Sequence, residues 1–189
     1  MRLPRGGFAY TGTAALASMA YAGGLPADRA GFSLEGTAMT TTIRPIAEAD
    51  YARWRPLWDG YNRFYGRFDA TALAQAITAQ TWRRFHDPAE PVHALVAEKD
   101  GRLAGLVHYL FHRSTTLLGD ICYLQDLFTD ETCRGEGVGR ALIEAVYEMA
   151  RAAGSPRVYW QTHESNARAM VLYNDVATRS GFLVYRKEL

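Results

Sequence analysis

Residues 133–154 read CRGEGVGRALIEAVYEMARAAG, with glycine at 135, 137 and 139 and then none until Gly154. Glycine in a regular element costs roughly 0.5–1 kcal/mol of backbone entropy relative to alanine. Three of them directly ahead of an apolar-periodic run of helix formers therefore need a reason: either the turn is very tight, or something approaches the backbone closely. A helix N-terminus offers the unpaired N–H groups of its first turn and the positive end of the helix dipole, which together make a site for an anion. Glycine at these positions removes the side chains that would hold a phosphate away from those donors. Arg134 and Arg140 flank the turn and can add charge-assisted hydrogen bonds. The plainer alternative is a tight strand-to-helix turn without a ligand.

Two familiar phosphate sites fail on context. A P-loop needs G-x-x-x-x-G-K-[ST], and no lysine follows here. A dinucleotide fold needs G-x-G-x-x-G after the first strand of a βαβ unit, with an acidic residue ending the next strand. This turn reads G-x-G-x-G, follows a fourth strand, and the next strand ends in YWQT.

The 189 residues suffice for one domain with a sizeable core, and 48% hydrophobic against 22% charged residues fits a globular chain. The formal net charge is +1 and no basic run exceeds two residues, which argues against nucleic acid as a partner. No apolar stretch reaches the roughly 18 residues of a membrane span, so no membrane partner is expected. Cys122 and Cys133 read as reduced thiols, the histidines lack metal spacing, and no metal is expected. Residues 1–38 are Gly/Ala/Thr-rich and read as an unstructured leader or a mis-assigned start. ALASMA within them allows a secretory cleavage site as the other reading. The domain is expected over 39–189, in the cytoplasm, with a homodimer as its possible assembly.

Along the domain, TTIRP reads as a short strand. In the next stretch Trp54, Trp58, Tyr61 and Tyr65 share one helical face, with Pro56 predicting a kink or a late helix start. Residues 70–86 read as a second helix. Residues 93–112 are a hairpin about Asp100-Gly101, a dipeptide suited to a type I′ turn. DICYLQDLFT is a strand, the glycine turn and its helix follow, RVYWQT is a strand, NARAMVLYNDVA a helix, and FLVYRK a last strand. The order β-α-α-β-β-β-α-β-α-β predicts an α/β domain of the α+β type, a single mixed, mostly antiparallel sheet with helices on both faces.

CRGEGVG resembles the R/Q-x-x-G-x-G/A signature of the GNAT N-acetyltransferase superfamily, with Arg134, Gly137 and Gly139 in the defining places. YLQDLFTDETCRGEGVGRALI resembles its fourth strand and third helix, and NARAMVLY its fourth helix. WRPLWDGYNRFYG and VYWQTHESNARAMVLY look closest to the branch of histone-, polyamine- and other small-amine acetyltransferases. The resemblance covers about residues 41–189. It implies acetyl-CoA as co-substrate, with the pyrophosphate on the N–H groups of residues 135–140 (Gly135, Gly137, Val138, Gly139 and Arg140 among them) beside Arg134. The pantetheine arm would pair with the backbone of Leu127, Phe128 and Thr129.

The implied reaction is attack of a neutral primary amine, of a small molecule or a lysine side chain, on a thioester. Tyr173, which periodicity alone would read as a core tyrosine, falls where the superfamily's thiolate-protonating tyrosine stands. Asn166 is either a plain helix N-cap or a cap that also touches the cofactor. For the base, relatives in this branch often carry glutamate where this chain has Gln125. Asp126 is the next candidate, provided that a bulge re-aims it, and Glu164 a weaker one. With such a bulge the Leu127 N–H would be the oxyanion donor. Trp58, Asp59, Tyr61, Tyr65 and Phe68 are available for the acceptor site, although a packed core stripe suits Trp54 and Trp58 better. A non-catalytic acyl-CoA sensor on the same fold is the competing function, motivated by Gln125.

Overall fold

The computed structural model describes residues 41–189, so the expected leader lies outside the described residues. Five strands form one sheet in the order β1-β2-β3-β4-β5: β1 (Thr42–Pro45), β2 (Val92–Lys99), β3 (Arg102–His112), β4 (Ile121–Thr129) and β5 (Val158–Tyr159). The first four are mutually antiparallel, and β4 and β5 are parallel. At the β2–β3 turn Asp100 and Gly101 have φ of 51° and 73°, the pair of left-handed residues that a type I′ turn requires.

Alternation along the strands builds two cores. On one face Leu95, Ala97, Val107, Tyr109, Cys122 and Leu124 pack under α3 (Val138–Ala152), with Leu172, Tyr173 and Val176 of α4 (Ala167–Val176) against the same cluster. On the other, Ala94, Val96, Leu103 and Leu106 meet Trp54, Leu57, Trp58 and Tyr61 of α1 (Tyr51–Phe64), with Trp82 of α2 (Gln75–Arg84) packed against them. The expected mixed sheet with helices on both faces is therefore what the chain forms.

Three local expectations are corrected. Of the two readings of Pro56, the late start does not hold, for Pro56 lies inside α1. Proline forfeits a backbone hydrogen bond, at about 3 kcal/mol in a helix interior. Burial of Trp54, Leu57, Trp58 and Tyr61 on the same helix outweighs that cost. The second helix is shorter than residues 70–86, since a separate 3₁₀ turn occupies Asp69–Thr71. RVYWQT pairs only through Val158 and Tyr159, and FLVYRK forms no strand, because neither finds a further strand to pair with among the described residues.

An ion cluster anchors the start of α1 to the sheet. The buried Asp50 carboxylate accepts from Arg44 at 2.6 and 3.0 Å, from the Ala47 N–H at 2.9 Å, and from Arg53. Arg44 also donates to Glu98 on β2 at 2.6 and 2.8 Å. These bonds, the one from Arg44 foremost, hold the Asp50 carboxyl well below the usual carboxylate range against the opposing effect of its burial.

Candidate active site

The site begins where β4 and β5 part. They pair only at Cys122–Val158 and Tyr123–Tyr159, while β4 stays paired with β3 as far as Thr129. From Leu124 onward the outer edge of β4 is free. A cleft of about 820 Å³ opens there between β4, α4 and the turn before α3. Leu127, Phe128 and Thr129 line it from the strand side.

At one end of the cleft stands the glycine turn, and its three glycines differ in their reasons. Gly135 and Gly137 have φ of 87° and 83°, left-handed conformations that disfavour any side chain. A Cβ at either would meet nothing within 4 Å, so backbone conformation rather than crowding requires glycine there, and the space beside it is open. Gly139 is in ordinary helix. A Cβ there would sit 3.4 Å from Leu172 Cδ2 and 3.5 Å from Thr129 Oγ1, in contact with the cleft wall. Gly137 is the N-cap of α3 and its carbonyl accepts from the Ala141 N–H. The N–H groups of Val138, Gly139 and Arg140, in the first helical turn, have no backbone acceptor among the described residues. All three residues line the cleft, as do Arg134, Gly135 and Gly137. The flanking arginines are already engaged: Arg134 pairs with Glu131 at 3.1 Å and lies over the Phe128 ring, and Arg140 pairs with Asp175.

Opposite stand Asn166, just before α4, and Tyr173 within it. Asn166 makes no side-chain cap; its Nδ2 donates to Thr162 Oγ1 at 3.1 Å while its carbonyl accepts from Met170 N–H. It thus stands at the N-cap position of α4 without capping the helix through its side chain. Tyr173 packs edge-on against Trp160, ring centroids 5.4 Å apart. Burial, and after it the nearby Tyr65, pushes its phenol up to about 12, so it keeps its proton at neutral pH.

The third wall comes from Tyr61 of α1 and from Tyr65 just beyond its end, and behind it lies the carboxylate that depends on a bulge. Tyr109 faces Leu124 and His108 faces Asp126, so Gln125 is the extra residue of β4. Strict alternation would put Asp126 on the α3 face with Cys122 and Leu124. The bulge turns it to the α1 face instead, where it is buried, and leaves Gln125 exposed. There the Asp126 Oδ2 accepts from His108 Nδ1 at 2.9 Å, and His108 Nε2 accepts from the Trp54 indole N–H at 3.1 Å. Asp126 is not itself part of the cleft wall, but Tyr61 is, and its phenol faces the carboxylate. Burial first and Asp126 second push that phenol up.

The other expected acceptor residues, and the weaker base candidate Glu164, fall elsewhere. Trp58 is core, its indole donating to Thr78; Asp59 is exposed and paired with Arg55 at 2.9 Å; Phe68 and Glu164 are exposed. Sequence reasoning missed His108. Its signal was a single polar residue in the apolar strand LAGLVHYLF, opposite a helix rich in tryptophan. It also missed Arg67, whose Nε donates to Asn62 Oδ1 at 2.7 Å and whose guanidinium lies 5.5 and 5.3 Å from the Tyr61 and Tyr65 rings. Both cysteines are free and buried.

The profile of the Acetyltransferase (GNAT) family matches residues 54–176. D-amino-acid N-acetyltransferase HPA3 of Saccharomyces cerevisiae is 33% identical over 147 residues, spanning 77% of this chain and 89% of its own. An uncharacterized N-acetyltransferase, YhfO of Bacillus subtilis, is 28% identical over 145 residues, spanning 76% and 94%. Among solved structures, a probable acetyltransferase superposes with TM-score 0.66 at 22% identity over 78% of this chain and 97% of that one. Aminoglycoside N-acetyltransferase AAC(6')-Iy, in complex with CoA, gives 0.63 at 17% over 82% and 99%. At these identities the solved structures speak to the fold alone.

Proposed function

The chain belongs to the acetyltransferase (GNAT) family and is an N-acetyltransferase, and from that premise we propose that it moves an acetyl group from acetyl-CoA directly to a primary amine, both substrates meeting in the cleft between β4, α4 and the turn before α3. The observation that carries this reading is the cleft itself, which brings the unpaired N–H groups of α3 and the protonated Tyr173 phenol into one space.

The pyrophosphate would sit on the N–H groups of Val138, Gly139 and Arg140, where open space lies beside Gly135 and Gly137. Arg134 and Arg140 would exchange their carboxylate partners for phosphate oxygens. The acyl arm would run along the free edge of β4 at Leu127, Phe128 and Thr129, and Asn166 would close the opposite side.

An alkylammonium with pKa near ~10.4 must lose a proton before it can attack, which costs about 4–5 kcal/mol at pH 7. Asp126, held by His108, takes that proton through water on the Tyr61 side. The amine lone pair forms the C–N bond at the thioester carbon while the carbonyl pair moves to oxygen, where the Leu127 N–H donates. Return of that pair breaks the C–S bond, and the leaving thiolate takes the Tyr173 proton. The sensor alternative drew its support from Gln125. That side chain is exposed on the bulge and outside the cleft wall, so its lack of a titratable group does not weigh against catalysis.

For the acceptor we propose an amino acid. The yeast relative is named for D-amino acids, and Arg67, a cation held against both tyrosines of the acceptor wall, is a ready partner for a carboxylate. The test is CoA thiol release across D- and L-amino acids and their decarboxylated amines. Amino acids turning over faster than the matching amines supports the reading; the reverse order leaves the transferase and removes Arg67. Initial rates should give intersecting double-reciprocal lines, and parallel lines would replace direct transfer by an acetyl-enzyme.

A further inference from the structure

Helix α1 carries one glycine in its interior, Gly60, in ordinary helical backbone. Glycine is, after proline, the poorest helix former, so a contact rather than the helix itself accounts for it. A Cβ at Gly60 would lie 2.7 Å from Phe128 Cζ and 2.9 Å from Phe128 Cε1. The Phe128 ring thus reaches the backbone of α1, where any side chain would push it away. Its main chain is held as closely from β3, since a Cβ at Gly105 would stand 2.8 Å from the Phe128 carbonyl oxygen. Phe128 is therefore fixed at both ends, by α1 at the ring and by β3 at the backbone.

The same residue lines the cleft, and the Arg134 guanidinium carbon stands over its ring, 5.9 Å from the centroid. Among the described residues Arg134 has one other partner, Glu131 at 3.1 Å, whose side chain is 78% exposed. An ion pair so open to water holds little, and an incoming phosphate competes with it for the guanidinium N–H donors. The ring contact is of another kind. It draws on the positive charge over an aromatic face and offers no oxygen for a phosphate to displace. Of the two contacts it is the one that persists when an anion takes the place of Glu131.

We propose, on the reading that the pyrophosphate lies at the glycine turn, that Gly60 and Phe128 are positioning residues for Arg134. The glycine lets the ring seat against α1, and the seated ring holds the guanidinium beside the turn for the pyrophosphate. Gly60 is not among the residues of the cleft wall; it acts through Phe128, and Phe128 through Arg134. The arrangement ties the cofactor end of the cleft to the helix that supplies Tyr61, the residue next to Gly60. A larger residue at 60 moves the ring rather than the helix. Burial of Trp54, Leu57 and Trp58 fixes α1, whereas the contacting atoms of Phe128 are the far edge of one side chain.

The test is calorimetric titration of acetyl-CoA into the full chain, into Gly60→Ala, Phe128→Leu and Arg134→Ala, and into each of the first two combined with the third. Beside it, Gly60→Ala is assayed for turnover of S-acetylpantetheine, a thioester without pyrophosphate, with the fastest acceptor of the panel above. Affinity for acetyl-CoA should be at least about threefold weaker in Gly60→Ala and in Phe128→Leu, as for loss of a cation–π contact. Neither should weaken it further once Arg134 is replaced, and turnover of S-acetylpantetheine should match the parent. Parental affinity in Gly60→Ala overturns the proposal. So does a loss that persists beside Arg134→Ala, or an equal fall with S-acetylpantetheine, which would make Gly60 packing for the cleft. If Arg134→Ala itself keeps the parental affinity, the pyrophosphate reading of the turn falls and the proposal with it. If Arg134→Ala binds weakly while Gly60→Ala does not, only the proposal falls. If Gly60→Ala does not fold, the Phe128→Leu cycle decides alone.

Discussion

The indole N–H of Trp54 donates to His108 Nε2 at 3.1 Å, and this one bond sets the state of the whole buried chain behind the cleft. Indole nitrogen can only donate, so Nε2 must be the bare nitrogen and the proton of the neutral ring resides on Nδ1. That proton points at Asp126 Oδ2, 2.9 Å away. The carboxylate thus receives a donor from the interior, in one orientation, and its charge, after burial, raises the pKa of the Tyr61 phenol.

In the mechanism proposed above His108 is a positioning residue for Asp126, and its two hydrogen bonds separate by substitution. In His108→Phe both bonds vanish. In His108→Asn an amide N–H still reaches toward Asp126, while the Trp54 bond is lost. Both should lose about 1–3 kcal/mol of stability from the orphaned indole. The phenylalanine variant should also lose at least about tenfold in kcat, short of the roughly 10²–10⁴-fold for removing a general base outright, with an altered pH–rate profile. The asparagine variant should recover most of the kcat. Equal kcat in the two would reduce His108 to packing.

Tyr173→Phe keeps the ring against Trp160 and removes the proton. We expect kcat to fall by roughly 10²–10⁴-fold, with KM for acetyl-CoA little changed and the melting temperature within a few degrees. Near-normal turnover with a lowered melting temperature would make Tyr173 a core residue.

Gly137→Val should lose both stability and cofactor affinity. At φ 83° a branched side chain is strained, by roughly 1–3 kcal/mol, and it stands beside the proposed anion site. Gly154→Val is the control, at φ 71° with equally open space but at the far end of α3. Calorimetric titration with acetyl-CoA should show affinity reduced at least about tenfold for the first and unchanged for the second, while both melt lower. Equal affinities would leave the turn as mere chain reversal.

The ion cluster at the start of α1 predicts an acid limb of stability. The folded Asp50 carboxyl is held well below its ordinary value of 3.8, so its contribution is fully present above that value. It is lost as pH falls toward the lower folded one. Asp50→Asn should lose about 1.5–3 kcal/mol at neutral pH, as for hydrogen bonds to a charged group, and flatten the acid limb of a denaturation series between pH 5 and 2. An unchanged slope would assign that limb to other carboxylates.

Much of the molecule follows from local chemistry and was therefore legible in the chain. Asp100-Gly101 accepts left-handed backbone cheaply and makes the hairpin wherever it stands. Gly135 and Gly137 do the same for the turn before α3, whose free N–H groups arise from the geometry of any helix start. The spacing of Trp54, Trp58 and Tyr61 sets the buried face of α1. What no single segment could decide is where two segments meet. Gln125 becomes the bulged residue only because β3 offers His108 to Asp126 and Tyr109 to Leu124, and that offset, not the alternation within β4, turns Asp126 toward Trp54. Pro56 stays helical because four large side chains find a sheet to cover. FLVYRK has the composition of a strand but forms none in this chain, since a strand's hydrogen bonds belong to its neighbour as much as to itself.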